Sequence, residues 1–195
     1  MGNDEPRHPR LVGRRVRLRP VGAADHELLR RIELSPHLAH RWRHHGTTPG
    51  IGEWRLGHDQ GVLAQYLVVD TRDGGEEWVG LVAAFNAHFE HGFAYLGVAR
   101  LGELDRSTRA LEGAVLFLDH LFTTWPLRTL YAESPVWNLD QFSSGTRRLL
   151  REVARLPDHW YLDGRHWDHV ILSITRERWE EHGPGLLAVC QGEAS

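Results

Sequence analysis

The chain has 195 residues, of which 41% are hydrophobic and 25% charged, with a net charge of -3 and a pI near 6.5. Such values describe one ordinary globular domain with its own core, and they exclude a disordered tail or a surface with bulk attraction for nucleic acid or anionic membrane. All 23 basic residues are Arg, which excludes lysine Schiff-base chemistry and a lysine-bearing phosphate loop; the single cysteine, Cys190, excludes a disulfide framework and a cysteine zinc site.

The start, MGNDEPRHPR, is polar and proline-bearing without an apolar h-region, so residues 1–10 read as a flexible lead and not a signal peptide. Apolar runs such as Ala114–Leu118 are far too short to span a bilayer, and the expectation is a cytoplasmic protein without a membrane segment. Val12 to Pro20 alternates apolar residues with arginines, the pattern of a half-buried strand. Asp25 to Glu33 reads as an amphipathic helix, and Ser35-Pro36 as the cap and first turn of a second helix reaching about His45. Residues 46–61, rich in glycine, read mostly as loop. Gln65–Asp70, Trp78–Ala84 and Phe93–Ala99 are three strands of a meander, joined at Asp73-Gly74-Gly75 and at His91-Gly92.

Thr108 to Phe122 carries apolar residues at 111, 114, 115, 118, 121 and 122, a helical stripe. Leu130–Glu133 is a short buried strand, and Asn138–Leu150 is helical at least in part. Val153–Leu162 and His166–Thr175 are two strands around Asp163-Gly164. The order is β-α-α-β-β-β-α-β-α-β-β. Residues 181–195 form an unassigned tail.

Several residues have types suited to chemistry. Glu133, at a strand end, can hold or deprotonate an amine, or simply pair with an arginine. His88, Glu90 and His91 cluster at a hairpin tip, where a histidine base is apt near neutral pH and an exposed turn is the plainer account. Tyr131 and Tyr161 carry phenols able to donate a proton. His40 and His44 have the i,i+4 spacing of a chelate, but no motif places an acidic third ligand, so no metal is expected. Trp42, Trp54, Trp137, Trp160 and Trp167 suit core or rim packing, and some suit an aromatic acceptor pocket. Arg14, Arg15, Arg17 and Arg19 form a strand face that reads as solvated or as able to bind an acidic partner.

This order of elements resembles that of the GNAT superfamily of N-acyltransferases, and particular residues carry the resemblance. Leu11–Pro20 is similar to the opening strand of the branch that acetylates ribosomal-protein N-termini (RimJ/RimL-like). Tyr161-Leu162-Asp163-Gly164-Arg165, Asp168 and Arg176-Glu177-Arg178-Trp179 are similar to its closing hairpin and ending. Glu112–Phe122 resembles the helix after the family's donor loop, and Tyr131-Ala132-Glu133 followed by Asn138 its fifth strand and asparagine region. The resemblance covers residues 11–179. It implies an α/β (α+β) GNAT domain over 11–180, with a mixed, mostly antiparallel sheet of about seven strands, flanking helices, and a splay between strands 4 and 5.

It also implies acyl transfer to an amine from acetyl-CoA or another acyl-CoA. The donor's pantetheine arm would lie along Gly97, Val98 and Ala99, its pyrophosphate on Arg106, Ser107, Thr108, Arg109 and Ala110, and Asn138 beside it. Glu133, Tyr131 and His88 are the implied catalytic candidates. Two departures from the family pattern stand out. Asp105-Arg106-Ser107-Thr108-Arg109-Ala110 keeps only the final small residue of the Gly-bearing loop, and Gln141 stands where many relatives have a serine. Three functions follow from the resemblance. One is an acyl-CoA-dependent N-acyltransferase for a small-molecule amine or peptide N-terminus. The second uses an acyl carrier protein or aminoacyl-tRNA donor, and the third is an inactive ligand-binding or interaction domain. A homodimer through the C-terminal strands is a further expectation.

Overall fold

Alternation within the first strand sets the two faces of the sheet. In β1 (Val16–Pro20), Val16 and Leu18 are buried while Arg17 and Arg19 point the other way. The arginines do not simply meet solvent: Arg15 pairs with Glu112, Arg17 with Glu76 and Arg19 with Asp25. The computed structural model describes residues 7–36, 38–72, 76–101, 108–141 and 148–193.

β2 (Val62–Asp70), β3 (Trp78–His88) and β4 (Phe93–Arg100) form the expected meander. They are joined by β5 (Thr129–Pro135), β6 (Arg151–Leu162) and β7 (Arg165–Thr175) in one seven-stranded sheet of order β1-β2-β3-β4-β5-β7-β6. Only β4 and β5 run parallel. The β6–β7 turn places Asp163 at φ 54° and Gly164 at φ 72°, the backbone of a type I′ hairpin that Asp-Gly favours.

Strand period divides the core between two helical layers. On one face Val68, Val82, Ala94, Leu96, Leu130 and Ile174 pack under α3 (Arg109–Thr124), with α4 (Arg176–Gln191) against α3. A Cβ placed on Gly113 would meet Val68 Cγ2 at 2.4 Å, so α3 approaches β2 as closely as it does only because this residue has no side chain. On the other face Leu67, Val69, Leu81 and Ala99 pack with Leu29 of α1 (His26–Glu33) and Trp54 of α2 (Ile51–Asp59). No helix among the described residues is long and apolar enough to cross a membrane.

The structure departs from the sequence reading in several places. The described residues 38–45 of the helix expected over 36–45 form a chain of turns, and the stretch expected to be loop holds α2. Gly52 and Gly57 weaken helix propensity there, but burial of Trp54 and His58 outweighs it. The expected tail is mostly α4, which buries Trp179, Gly183, Leu187 and Cys190 along one stripe despite Pro184. Of the segment expected to be helical in part from Asn138, the described start lies in a 3-10 helix over Val136–Gln141, and residues 142–147 lie outside the described residues. Of the lead, the described residues 7–10 lie against α3, where Arg7 pairs with Asp119 and the Arg10 amide donates to it at 3.4 Å.

Candidate active site

β4 and β5 pair over only three positions, Phe93–Thr129, Ala94–Leu130 and Tyr95–Tyr131. Beyond Tyr95, β4 stays bonded to β3 as far as Arg100, while β5 stays bonded to β7 as far as Pro135. The two strands therefore separate, and the edge of β4 at Gly97, Val98 and Ala99 faces a wedge instead of a neighbouring strand. An extended ligand can add to such an edge through main-chain hydrogen bonds. α3 begins at Arg109, with Ala110 of its first turn and the Ala99 carbonyl both beside Gly80, and its first amides are the unpaired donors of a helix N-terminus.

The start of α3 is built around an ion pair. Glu112, 3% exposed, accepts from the Arg15 amide at 2.9 Å and from Arg15 Nε at 2.8 Å. Arg15 Nη2 also donates to Thr108 Oγ1 at 2.8 Å. Arg15 thus neutralises a carboxylate that would otherwise oppose an anion at this helix end. Arg109, expected to reach a pyrophosphate, is instead tied to Asp70 and lies 3.5 Å from Glu77. Arg72, with Arg109 beside it, holds the Asp70 carboxyl well below the usual carboxylate range. Ala110 is buried against Gly80. Arg106 and Ser107 lie outside the described residues, as does Asp105.

On the α1/α2 face of the sheet, aromatic rings follow the strands toward the wedge. His88, exposed at the end of β3, stacks on Phe93 with centroids 4.7 Å apart. Phe93 and Tyr95 both lie beside Tyr131, at 5.8 and 6.0 Å. Trp42 closes over β4: a Cβ on Gly97 would meet its Cη2 at 2.9 Å, so the missing side chain makes room for the indole. Asn138 sits in the turn after β5, where its Nδ2 donates to Ser134 Oγ at 3.4 Å.

Glu133 follows Tyr131 on the same face of β5, and its carboxylate lies 3.5 Å from Nε2 of His169 on β7. His169 is 6% exposed, and Trp160 Nε1 donates to its Nδ1 at 2.5 Å. An indole nitrogen can only donate, so Nδ1 carries the lone pair and the proton of neutral His169 is on Nε2, facing Glu133. Burial pushes the His169 pKa down, against the pull of Glu133. A second proton on Nδ1 would also face the indole N–H. His45 packs edge-on against Trp160 with ring centroids 4.3 Å apart.

The pairing of Glu133 with His169 differs from the arginine partner expected for a strand-end carboxylate, and His169 was not singled out from the sequence. Its signal was present but diffuse: β7 places it opposite Pro135, at the far end of β5. Of the His40/His44 pair, His44 has its Nε2 3.1 Å from Glu33, and the His40 ring lies against Gly46. Asp168 supports the β6–β7 hairpin, accepting from Arg155 at 3.1 Å and from the Asp158 amide at 3.2 Å. Arg176 donates to the carbonyls of Phe122, Trp125 and Leu127, each at 2.8 Å, and so caps the C-terminal end of α3.

No protein-family model matches the chain, and no curated protein does. Solved structures do. A spermidine N-acetyltransferase from Vibrio cholerae, in complex with CoA and spermine, superposes with a TM-score of 0.70 at 17% identity, over 85% of this chain and 98% of that one. A chimera of the Vibrio cholerae SpeG spermidine N-acetyltransferase and hSSAT gives 0.71 at 17% identity, over 86% and 99%. A candidate acetyltransferase from T. thermophilus gives 0.70 at 20% identity, over 95% and 98%. With a seven-stranded mixed sheet, one parallel pair that opens into a wedge, and flanking helices, the chain has the GNAT fold of these acetyltransferases.

Proposed function

We propose that the protein is an acetyl-CoA-dependent N-acetyltransferase whose acceptor is a primary amine, with Glu133 as the base. The separation of β4 from β5 beyond Tyr95 carries this reading, because it offers a donor-shaped strand edge next to an acidic, aromatic acceptor face. The wedge and the α3 N-terminus suit a pantetheine arm and an anionic pyrophosphate. Gly97, Val98 and Ala99 would hold the arm through their backbone. The amides at Thr108–Ala110 would hold the pyrophosphate, with Arg106 and Ser107 from the preceding loop. Arg109, committed to Asp70, would act there through its backbone and not its guanidinium.

The donor supplies a thioester carbonyl for the amine to attack. Glu133 attracts the ammonium form of the acceptor and takes up the proton that its nitrogen must lose. His169 is a positioning residue: its Nε2–H fixes the carboxylate, and Trp160 fixes the tautomer. Tyr95, Tyr131 and Trp42 present ring faces that favour a cation. Tyr131 is also the phenol nearest in sequence to Glu133, and we assign it the return of a proton to the departing thiolate. His88, exposed at the strand end, belongs to the rim of the acceptor face.

Two acceptors separate the finer readings: spermidine, named for the Vibrio cholerae neighbour, and a peptide with a free N-terminal alanine, implied by the ribosomal-protein branch. The test is calorimetric binding of acetyl-CoA followed by turnover with both. Glu133→Gln is expected to lower kcat by about 10²–10³-fold while leaving the donor Kd unchanged. Absence of saturable donor binding at millimolar acetyl-CoA, or a Glu133→Gln protein as fast as the parent, would overturn the proposal.

A further inference from the structure

His26 opens α1, and His58-Asp59 closes α2, so the two helices bring three potential ligands to one spot. One nitrogen or oxygen from each of His26, His58 and Asp59 falls within 4.8 Å of the others, and His26 Nε2 is 3.9 Å from Asp59 Oδ1. His58 supplies an independent sign. It is fully buried, and among the described residues its Nε2 has no hydrogen-bond partner. A buried imidazole nitrogen left in this way is costly unless something is meant to meet it.

The surroundings hold His58 as a ligand is usually held. Trp54 stacks on it at 4.2 Å between centroids and also meets His26 edge-on at 5.6 Å. Its Nδ1 lies 3.5 Å from Arg43 Nη1 and 3.9 Å from the Glu33 carboxylate, so a metal on Nε2 requires the tautomer whose proton is on Nδ1, facing Glu33. Arg43, 3.7 Å from Glu33, balances that carboxylate, so the negative charge facing the spot is that of Asp59. Two imidazoles and one carboxylate make a donor set suited to zinc-class ions.

We infer that His26, His58 and Asp59 form a binding site for a divalent transition-metal ion, with zinc the ion to probe, that staples the start of α1 to the end of α2. Ligand atoms in a tetrahedral zinc site stand about 3.3 Å apart, so the site closes by a small shift. Asp59, with its side chain 65% exposed, is free to make that shift while His58 stays in place. Its exposure also provides the entry path and leaves the fourth position to water. The site is separate from the proposed acetyl transfer, and its fate is read without any activity measurement.

The experiment titrates metal-free full-length protein with ZnCl₂ by calorimetry and with Co²⁺ by visible absorption. The expected result is one high-affinity ion per chain, the intense d–d bands of four-coordinate Co²⁺, and a higher Tm with zinc. His26→Ala and Asp59→Asn are each expected to weaken binding by about tenfold or more, and Asp59→Asn, at the exposed side of the site, to leave the zinc-free Tm nearly unchanged. His58→Ala risks the fold and is not needed. No binding, only octahedral Co²⁺ bands, or binding of equal strength in both variants would overturn the inference; the last result would place the ion on other histidines among the 14 of the chain.

Discussion

Glu33 is the side chain whose removal should be felt most widely on the acceptor side. It ends α1 at 1% exposure and accepts from Trp42 Nε1 at 2.9 Å and Trp54 Nε1 at 2.8 Å. His44 Nε2 meets it at 3.1 Å, and Arg43 lies 3.7 Å away. One carboxylate thereby joins α1, the turns over 38–46 and α2. Glu33→Ala leaves the buried Trp54 indole N–H, the half-buried Trp42 indole N–H and the mostly buried Arg43 guanidinium without this partner. Hydrogen bonds to a charged group are each worth about 1.5–3 kcal/mol, and breaking a buried charged network costs about 3–5 kcal/mol in total. For a domain of this size each kcal/mol moves Tm by about 2–4 °C, so a fall of roughly 10 °C is expected. Glu33→Gln, which keeps one acceptor oxygen, should fall between. Thermal unfolding followed by circular dichroism reads the loss, and tryptophan fluorescence reads the freed indoles. Because Trp42 is one of the rings of the proposed acceptor face, the KM for the amine should rise. A Glu33→Ala protein within about 2 °C of the parent would refute the network reasoning.

Two further outcomes test other parts of the structure. Arg15→Ala strips the guanidinium from buried Glu112, with an expected cost of about 1.5–3 kcal/mol and weaker CoA binding at the α3 N-terminus. Adding Glu112→Gln should restore most of the donor affinity, and a double variant no better than the single would count against Arg15 as a neutralising group. His120 is buried between the Tyr66 hydroxyl at 3.1 Å and Thr124 Oγ1 at 3.2 Å, and burial lowers its pKa from the ordinary 6.5. The unfolded chain takes up a proton near that value, which the folded protein resists. His120 therefore contributes stability that is present above about pH 6.5 and lost as pH falls toward the folded value, by at most about 1.4 kcal/mol per pH unit. Tm measured from pH 7.5 to 5 should decline more steeply in the parent than in His120→Gln; equal slopes would remove His120 from the account.

Much of the fold was legible because strand period and turn chemistry are local. Val16 and Leu18 between arginines, the meander from Val62 to Arg100 and the Asp163-Gly164 hairpin all follow from neighbours in sequence. The stripe from Leu111 to Phe122 announced α3 for the same reason. The errors fell where local preference and tertiary burial disagree. Ser35-Pro36 is a good helix start, yet the chain there turns so that Trp42 and His44 can reach Glu33. Gly50–Gly61 looks like loop, yet Trp54 and His58 need a buried face and the backbone coils to provide it.

The candidate site divides along the same line. Glu133 and Tyr131 could be proposed from strand position and residue type, and Gly97–Ala99 from the family order of elements. His169 could not, because its partnership with Glu133 is made by antiparallel pairing between strands 34 or more residues apart, and its tautomer is set by Trp160 across a hairpin. The role expected for Arg109 was revised by Asp70, a residue distant in sequence. Residues alone determined the element order, the faces of the strands and the absence of lysine chemistry, since these depend on composition and on periods of two and 3.6. Which charges meet, where β4 leaves β5, and which histidine nitrogen stays unpaired were decided only by the tertiary structure, because each depends on distances between segments that the chain's local preferences do not specify.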